Sequence, residues 1–386
     1  MKKLILSLFV FAFGYQIYSQ TYNTFEPSKT QFMLRGYGHT GFEYMDSNDE
    51  TESTFLGLTY APIFLYKHSD RLMFEAELEF KLEGNELEIG LEYADVMYVL
   101  NKNMTVRAGK FLLPFGTFME RLHPAWINRL PNAPLGYGHD GIAPSSGIGV
   151  ELRGAFDLGG PRLNYSIYST NGPRINDGSE EPEEAGILQF ENFEDNNLAK
   201  AYGGRIGILP FSDSSAEIGF SAYSTSGTGE EDSQYEDVGA FLFALDFSYV
   251  KPISPLKGIV DIKAQYNNSN VDTATFIEVH EDGDAEEYSF DNQSNSFYAQ
   301  LSYRPTMAEN DFMKKLEFVG RYSDFNAPEG AEWEEASVQY AFGINYWLSW
   351  RSVVKLSYQT TETEGGHDGS GITNTDGLFI HWAIGF

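Results

Sequence analysis

From Leu72 to Leu82 the chain alternates in character, with Met73 the one apolar residue on the polar side. Leu72, Phe74, Ala76, Leu78, Phe80 and Leu82 fall on one side, and Glu75, Glu77, Glu79 and Lys81 on the other. Successive side chains of an extended chain point to opposite faces, so this segment calls for oil on one face and water on the other. A half-buried sheet in a soluble protein would satisfy one such strand. Repetition along the chain narrows the choice.

Leu87, Ile89, Leu91 and Tyr93 oppose Glu86, Glu88 and Glu92, and Ile148, Val150, Leu152 and Phe156 oppose Glu151 and Arg153. Further on, Val260, Ile262, Ala264 and Tyr266 oppose Asp261, Lys263, Gln265 and Asn267, while Phe297, Leu301 and Tyr303 oppose Gln300, Ser302 and Arg304. Each segment is about ten residues long, the length that crosses a hydrocarbon layer when tilted near 45°. Beyond the N-terminus no apolar run reaches twelve residues, so no helix is long enough to span a bilayer. Membrane residence then requires a closed barrel, because an open sheet edge in lipid leaves its backbone groups unpaired.

The N-terminus sets an expectation about compartment. Lys2 and Lys3 precede a run from Leu4 to Phe13 that is apolar except at Ser7, and polar residues follow at Gln16, Ser19 and Gln20. That run is about half the roughly twenty residues of a membrane-spanning helix, so it reads as a secretory signal peptide over residues 1–19. Residues 20–386 then form one domain, because no Pro/Gly linker divides them. With Lys plus Arg 26 against Asp plus Glu 56 the net charge is −30, and loss of Lys2 and Lys3 makes it −32. A nucleic-acid partner is unexpected for a chain without a basic face. Cysteine is absent, which excludes disulfides, thiolate metal sites and a lipidated cysteine. The 30 Phe and 24 Tyr beside 38 Gly suit strands with aromatic girdles and tight turns.

Connections alternate in length, as a two-sided membrane imposes. Short ones lie near 68–71, 101–103, 158–161, 211–214, 252–257, 305–311 and 350–351. Between them come mostly longer polar ones at 116–145, 172–198, 227–236, 268–294, 326–335 and 362–376. Gly84 and Asn85 read as a tight hairpin on the long-loop side, and Asp46 to Ser53 as an intermediate turn. The count is sixteen antiparallel strands when Thr273 to Tyr288 is one loop, with or without its own hairpin, and eighteen otherwise. Either even number puts both termini on the periplasmic side. At the C-terminus Leu378, Ile380, Trp382, Ile384 and Phe386 are apolar at alternate positions. This ending resembles the C-terminal assembly signal of outer-membrane proteins, and it leaves His381 facing inward.

The third outer connection, 116–145, breaks the strand pattern. It carries Glu120, Arg121, His123 and Arg129 among Pro124, Pro131, Pro134 and Gly136. The stretch Ala108-Gly109-Lys110-Phe111-Leu112-Leu113-Pro114-Phe115-Gly116, followed by Glu120-Arg121 and by Gly147-Ile148-Gly149-Val150-Glu151-Leu152, is similar to the corresponding stretch of the phosphate-selective porin family. The resemblance covers residues 108–152 and elsewhere only the general barrel pattern. It implies a third loop folded inward to narrow a channel, with Glu120, Arg121, His123 and Arg129 at the constriction. It further implies passive diffusion of small hydrophilic solutes, including anions such as phosphate, through an outer-membrane porin. Related porins are often homotrimers.

Phosphate selectivity calls for clustered cations, since an anion shedding water needs Arg and Lys donors in close array. The expected lumen lining is instead of mixed sign. It comprises Arg35, Arg107, Arg153, Arg205, Lys263, Arg304, Arg321 and Lys355 beside Glu75, Glu77, Glu79, Glu86, Glu88, Glu151, Glu217, Asp261 and Glu317. The alternative reading is a non-channel barrel in outer-membrane lipid that binds a partner or divalent cations through acidic loops such as 179–184 and 230–232. No Ca²⁺ loop of the D-x-[DN]-x-[DN]-G type accompanies those runs, so no metal or cofactor is expected. Neither H-E-x-x-H nor G-x-S-x-G occurs, and catalysis has no motif to rest on.

Overall fold

The computed structural model describes residues 30–48, 50–83, 86–139, 141–191, 193–279, 285–365 and 371–386. The segment read as a signal peptide and the hairpin at Gly84 and Asn85 lie outside the described residues. The wall begins with β1 (Gln31–Ser47), β2 (Glu50–Lys67), β3 (Leu72–Glu83), β4 (Glu86–Asn101), β5 (Met104–Leu112), β6 (Ser146–Asp157) and β7 (Arg162–Thr170). A long connection then carries the short pair β8 (Arg174–Ile175) and β9 (Leu188–Gln189), after which come β10 (Ala201–Leu209), β11 (Ala216–Thr225), β12 (Ala240–Ile253) and β13 (Gly258–Val271). The hairpin of β14 (Thr275–Val279) and β15 (Ala285–Ser289) pairs apart from the wall. Five strands finish it: β16 (Gln293–Arg304), β17 (Leu316–Asn326), β18 (Glu335–Ser349), β19 (Ser352–Gly365) and β20 (Ile372–Gly385).

Among the described residues, sixteen strands make one closed antiparallel barrel, sealed where β1 pairs with β20 from Tyr37 opposite Gly385 to Ser47 opposite Thr375. The alternation read from the sequence is present with its faces inverted relative to a soluble protein. Large apolar side chains such as Phe220, Leu245, Leu301, Phe342 and Trp382 are exposed, whereas Ser221, Gln265, Ser323, Lys355 and His381 on the opposite face are buried. An apolar outer band around a polar interior is the pattern of a barrel whose solvent is lipid. Phe386 exchanges backbone hydrogen bonds with Gly36 at 3.2 and 2.9 Å, and its ring stacks on Tyr60.

Three expectations need correction. Tyr93 does not join Leu87, Ile89 and Leu91 on the outer face. The β3 and β4 register shifts so that Glu77 pairs with Tyr93 while Leu78 pairs with Leu91, and Tyr93 hydrogen-bonds Glu77 inside. A bulge inserts one residue and turns the following side chain to the other face. The connection expected at 362–376 is mostly strand, with Thr361 paired to Thr375 and Thr363 to Thr373. The turn expected from Asp46 to Ser53 is likewise short, because β1 runs to Ser47 and β2 starts at Glu50. In both places polarity marks where the wall leaves the apolar layer. The backbone continues to pair beyond it, since ladder bonds do not depend on side-chain polarity.

Candidate functional site

The connection between β5 and β6 has lost alternation because it serves no lipid face. After Pro114 it makes a wide π-helical turn, Phe118–Leu122, closed by His123 N–H donating to the Phe118 carbonyl at 3.0 Å, and its amides are taken up by wall side chains. Gly116 N–H donates to Ser221 Oγ at 2.9 Å, and Thr117 and Phe118 N–H both donate to Gln265 Oε1 at 2.8 and 3.1 Å. Gly116 has φ +63°, and a Cβ there would stand 2.0 Å from the Gln265 amide. Glycine therefore serves both the left-handed backbone and the close approach. Phe118, Met119 and Tyr137 pack with Tyr298 of β16, and the Tyr137 hydroxyl donates to the Gln265 carbonyl at 2.7 Å.

The far half of the loop is held through its carbonyls. Lys355 Nζ of β19 donates to Ala125 O at 2.6 Å, Asn128 O at 2.7 Å and Leu130 O at 3.3 Å. Arg321 of β17 donates to Asn132 O and Ala133 O at 2.9 and 3.0 Å, and Asn345 of β18 to Arg129 O at 2.9 Å. Leu130 packs on Val319 and Ala341, and Trp126 against Trp347, Val353 and Ala383. This segment is bonded at once to polar-face residues of β11, β13, β17, β18 and β19.

These contacts decide what the expected lining cations touch. Arg321 and Lys355 are on the polar face but under the loop, 3 % and 1 % exposed; Lys355 Nζ and both terminal nitrogens of Arg321 are committed to protein carbonyls, while Arg321 Nε is buried without a partner. Arg107 is closed by Glu151 at 2.6 Å and by the Leu112 carbonyl at 3.2 Å. Arg205 makes a two-pronged contact with Asp246 at 2.6 and 2.9 Å and a third bond to Glu217 at 2.9 Å. Arg35, Arg153, Lys263 and Arg304 remain half-buried. Lys263 bonds its neighbour Asp261, and the Arg304 guanidinium sits 4.9 Å over Trp347.

Glu120 and Arg121 bring the loop against this charge network. Glu120 lies 2.7 Å from Arg153, 3.7 Å from Arg121 and 3.9 Å from Arg107. Burial alone would push its carboxyl up, but the three guanidinium charges outweigh burial and hold it below the usual range. Arg121 reaches Glu217 at 3.0 Å, and Arg129 reaches Glu317 at 3.0 Å. Glu120, Arg121, Arg153, Asn164 and Arg205 share a cavity of about 370 Å³. Glu75 lies in the field of Arg107 and Arg153.

The opposite side of the loop meets an acidic wall. Glu77 is buried and accepts from the Tyr37 hydroxyl at 2.7 Å. Glu92 of β4 is 3.5 Å from His139 Nε2, and Glu191 of the next outer connection is 2.5 Å from His139 Nδ1. Burial would lower His139, yet the bond to Glu191 and the charges of Glu92, Glu191 and Glu79 hold it up at about 9. His123 has no such counter-charge in contact, and burial brings it down to about 4. His381 is buried, bonded to Glu43 at 3.0 Å and stacked on His39.

Sequence reasoning named Gln265 only as a polar-face position and Glu191 only as the start of an acidic loop run, and did not single out Ser221, Asp246, Asn345, Tyr37 or His139. Gln265, Ser221, Asp246 and Asn345 sit at inward positions of recognisable strands, so alternation gave their face without their partner. His139 and Glu191 lie in connections, where no periodicity assigns a direction.

No family model matches the chain, and no curated protein matches it. Solved structures do. The anion-selective porin from Comamonas acidovorans superposes with TM-score 0.57 at 11 % identity over 93 % of this chain and 100 % of that one. The outer membrane channel DcaP of Acinetobacter baumannii gives 0.57 at 12 % identity over 92 % and 97 %. Salmonella typhi OmpF in complex with daunomycin gives 0.55 at 12 % identity over 93 % and 98 %. At such identities the likeness is one of architecture: this chain has the closed sixteen-strand barrel fold of the bacterial outer-membrane porins.

Proposed function

We propose that this chain, exported by residues 1–19, resides in the outer membrane and passes small hydrophilic solutes by passive diffusion, with the 116–145 loop setting the constriction. The observation that carries this reading is the pinning of that loop. Buried Lys355 and Arg321 hold its carbonyls, leaving Arg121 exposed and Arg153 half-buried beside the cavity. The solute passes along this pair; Glu77 and Glu92 are buried and Glu79 half-buried, so the acidic wall meets it less. Glu120, Arg121, His123 and Arg129 are the constriction residues of this proposal. Of these, Arg121 is the best placed to meet a solute.

Phosphate selectivity receives less support. Four of the lumen cations, Arg107, Arg205, Arg321 and Lys355, are buried and each is bonded to protein acceptors. A stripped anion needs several free donors together. The proposed channel is therefore a general one with weak charge preference, set mainly by Arg121, Arg153 and Glu120. Glu120→Gln should shift it toward anions. Removing a charge about 4 Å from a passing ion changes its energy by about 1 kcal/mol in water, which corresponds to a two- to fivefold rise in the anion-to-cation permeability ratio. Reversal potential in a salt gradient measures it, and the effect should shrink at high salt. An unchanged reversal potential would place Glu120 off the ion path.

A second reading is favoured by one observation. Ile175, Leu188, Phe190, Tyr235, Val238, Phe276 and Phe290, from three outer connections, form one apolar cluster with Tyr168 and Tyr223 of the wall. Such a cap suits a barrel that displays its acidic loops to a partner. Conductance of the folded protein separates the two.

A further inference from the structure

Two imidazoles and a carboxylate converge where the loop meets β4. Glu92, His123 and His139 each present one ligand atom, and the three atoms lie within 4.8 Å of one another. Both rings are already anchored at Nδ1. His123 Nδ1 is 2.5 Å from the Met119 carbonyl oxygen, and His139 Nδ1 is 2.5 Å from Glu191 Oε1. Those oxygens only accept, so each Nδ1 carries a hydrogen and Nε2 is the nitrogen a ligand would take, with His139 giving up the Nε2 proton that faces Glu92 when a metal ion binds. This outer contact to a carbonyl or carboxylate is the one that orients metal-binding histidines.

His139 Nε2 is 3.5 Å from Glu92 Oε2. His123 Nε2 is 3.4 Å from the Tyr37 oxygen, whose single proton goes to Glu77. That nitrogen therefore receives no hydrogen from its nearest neighbour. Ligands around a tetrahedral ion at about 2.0–2.1 Å stand roughly 3.4 Å apart. The His139 and Glu92 atoms already meet that spacing, and a small ring movement closes the third.

We propose that Glu92, His123 and His139 form a lumen site for a borderline divalent transition-metal ion, Zn²⁺ or its Co²⁺ and Ni²⁺ analogues, which would tie the loop to β4. Two nitrogens and one carboxylate are the donor set of such ions, whereas Ca²⁺ and Mg²⁺ take oxygen ligands. Three protein ligands leave a fourth position for water or a solute. Glu79 and Glu191, whose charges reach His139, offset the added positive charge. The site does not depend on whether the barrel conducts.

The test is Co²⁺ titration of the detergent-folded barrel, followed by its visible absorption, with Zn²⁺ as competitor and Ca²⁺ in excess throughout. The expected result is one equivalent of low-coordinate Co²⁺ per chain, displaced by Zn²⁺ and indifferent to Ca²⁺. The double variant His123→Gln/His139→Gln should lose the band, and Glu191→Gln should weaken binding by about tenfold or more. If the double variant does not fold, judged by gel mobility with and without heating, His139→Gln alone gives the same reading. Absence of the band, its retention in the histidine variants, or its loss to Ca²⁺ would overturn the proposal and assign any bound cation to the acidic loops.

Discussion

Replacing Lys355 and Arg321 together by Met is expected to at least double single-channel conductance while leaving the barrel assembled. Between them these cations satisfy the carbonyls of Ala125, Asn128, Leu130, Asn132 and Ala133. Each bond contributes about 0.5–1.5 kcal/mol net, but a buried acceptor left without a donor costs about 1–3 kcal/mol. Methionine keeps much of the volume and supplies no donor. Asn132 O keeps the Asn128 amide at 3.1 Å, but the other four carbonyls are orphaned and are cheaper to expose to water than to keep against an apolar side chain, so residues 124–133 should leave the wall. The strand ladders of β17 to β19 do not involve these side chains, so the folded fraction on a heat-modifiability gel should be unchanged. New protease cleavage within 124–133 should accompany the conductance rise. A detached loop with unchanged conductance would mean that the loop does not limit flow.

The second large effect falls on stability. Arg205→Met should destabilise the folded barrel by about 3–5 kcal/mol, the usual cost of removing one partner of a buried ion pair. Arg205 is 3 % exposed and Asp246 4 %, and the guanidinium also holds Glu217. The wall is shaped for this contact. A Cβ on Gly219 would stand 2.2 Å from Asp246 Oδ2 and 2.3 Å from Arg205 Nη2. Taking Asp246 to Asn in the same chain removes the stranded charge and should recover more than half of the loss. Urea unfolding of the refolded protein, followed by tryptophan fluorescence, measures both. A loss under about 1 kcal/mol for the single change would mean that water reaches Asp246 and compensates it.

The fold was legible because alternation is a local property. Leu72 to Leu82 or Val260 to Asn267 announces its own two faces without reference to a partner. What the alternation could not carry was any event set across the sheet. The bulge that turns Tyr93 inward exists because β4 has one more residue than β3 needs between Glu77 and Leu78. Nothing in the residues near Tyr93 distinguishes it from a regular strand.

The candidate site was legible to a different depth. Proline, glycine and the loss of period-two pattern marked 116–145 as a connection of its own kind, and Glu120, Arg121, His123 and Arg129 do lie there. The anchors lie far along the chain, with Lys355 bonded to Ala125 across 230 residues. A lysine beneath a loop and a lysine facing water are the same letter at the same parity. Charge counting therefore overstated the cations open to a solute. It also passed over Glu92 as one more polar position, although two loop imidazoles face it.

The central claim is that this barrel is an open, passively conducting pore, and its most direct test is single-channel recording of the folded wild-type protein in a planar bilayer. The expected result is stepwise, ohmic current with a reversal potential near zero under equal salt and only a small shift in a gradient. Correctly folded protein that gives no current would contradict the claim and favour the capped, partner-binding barrel.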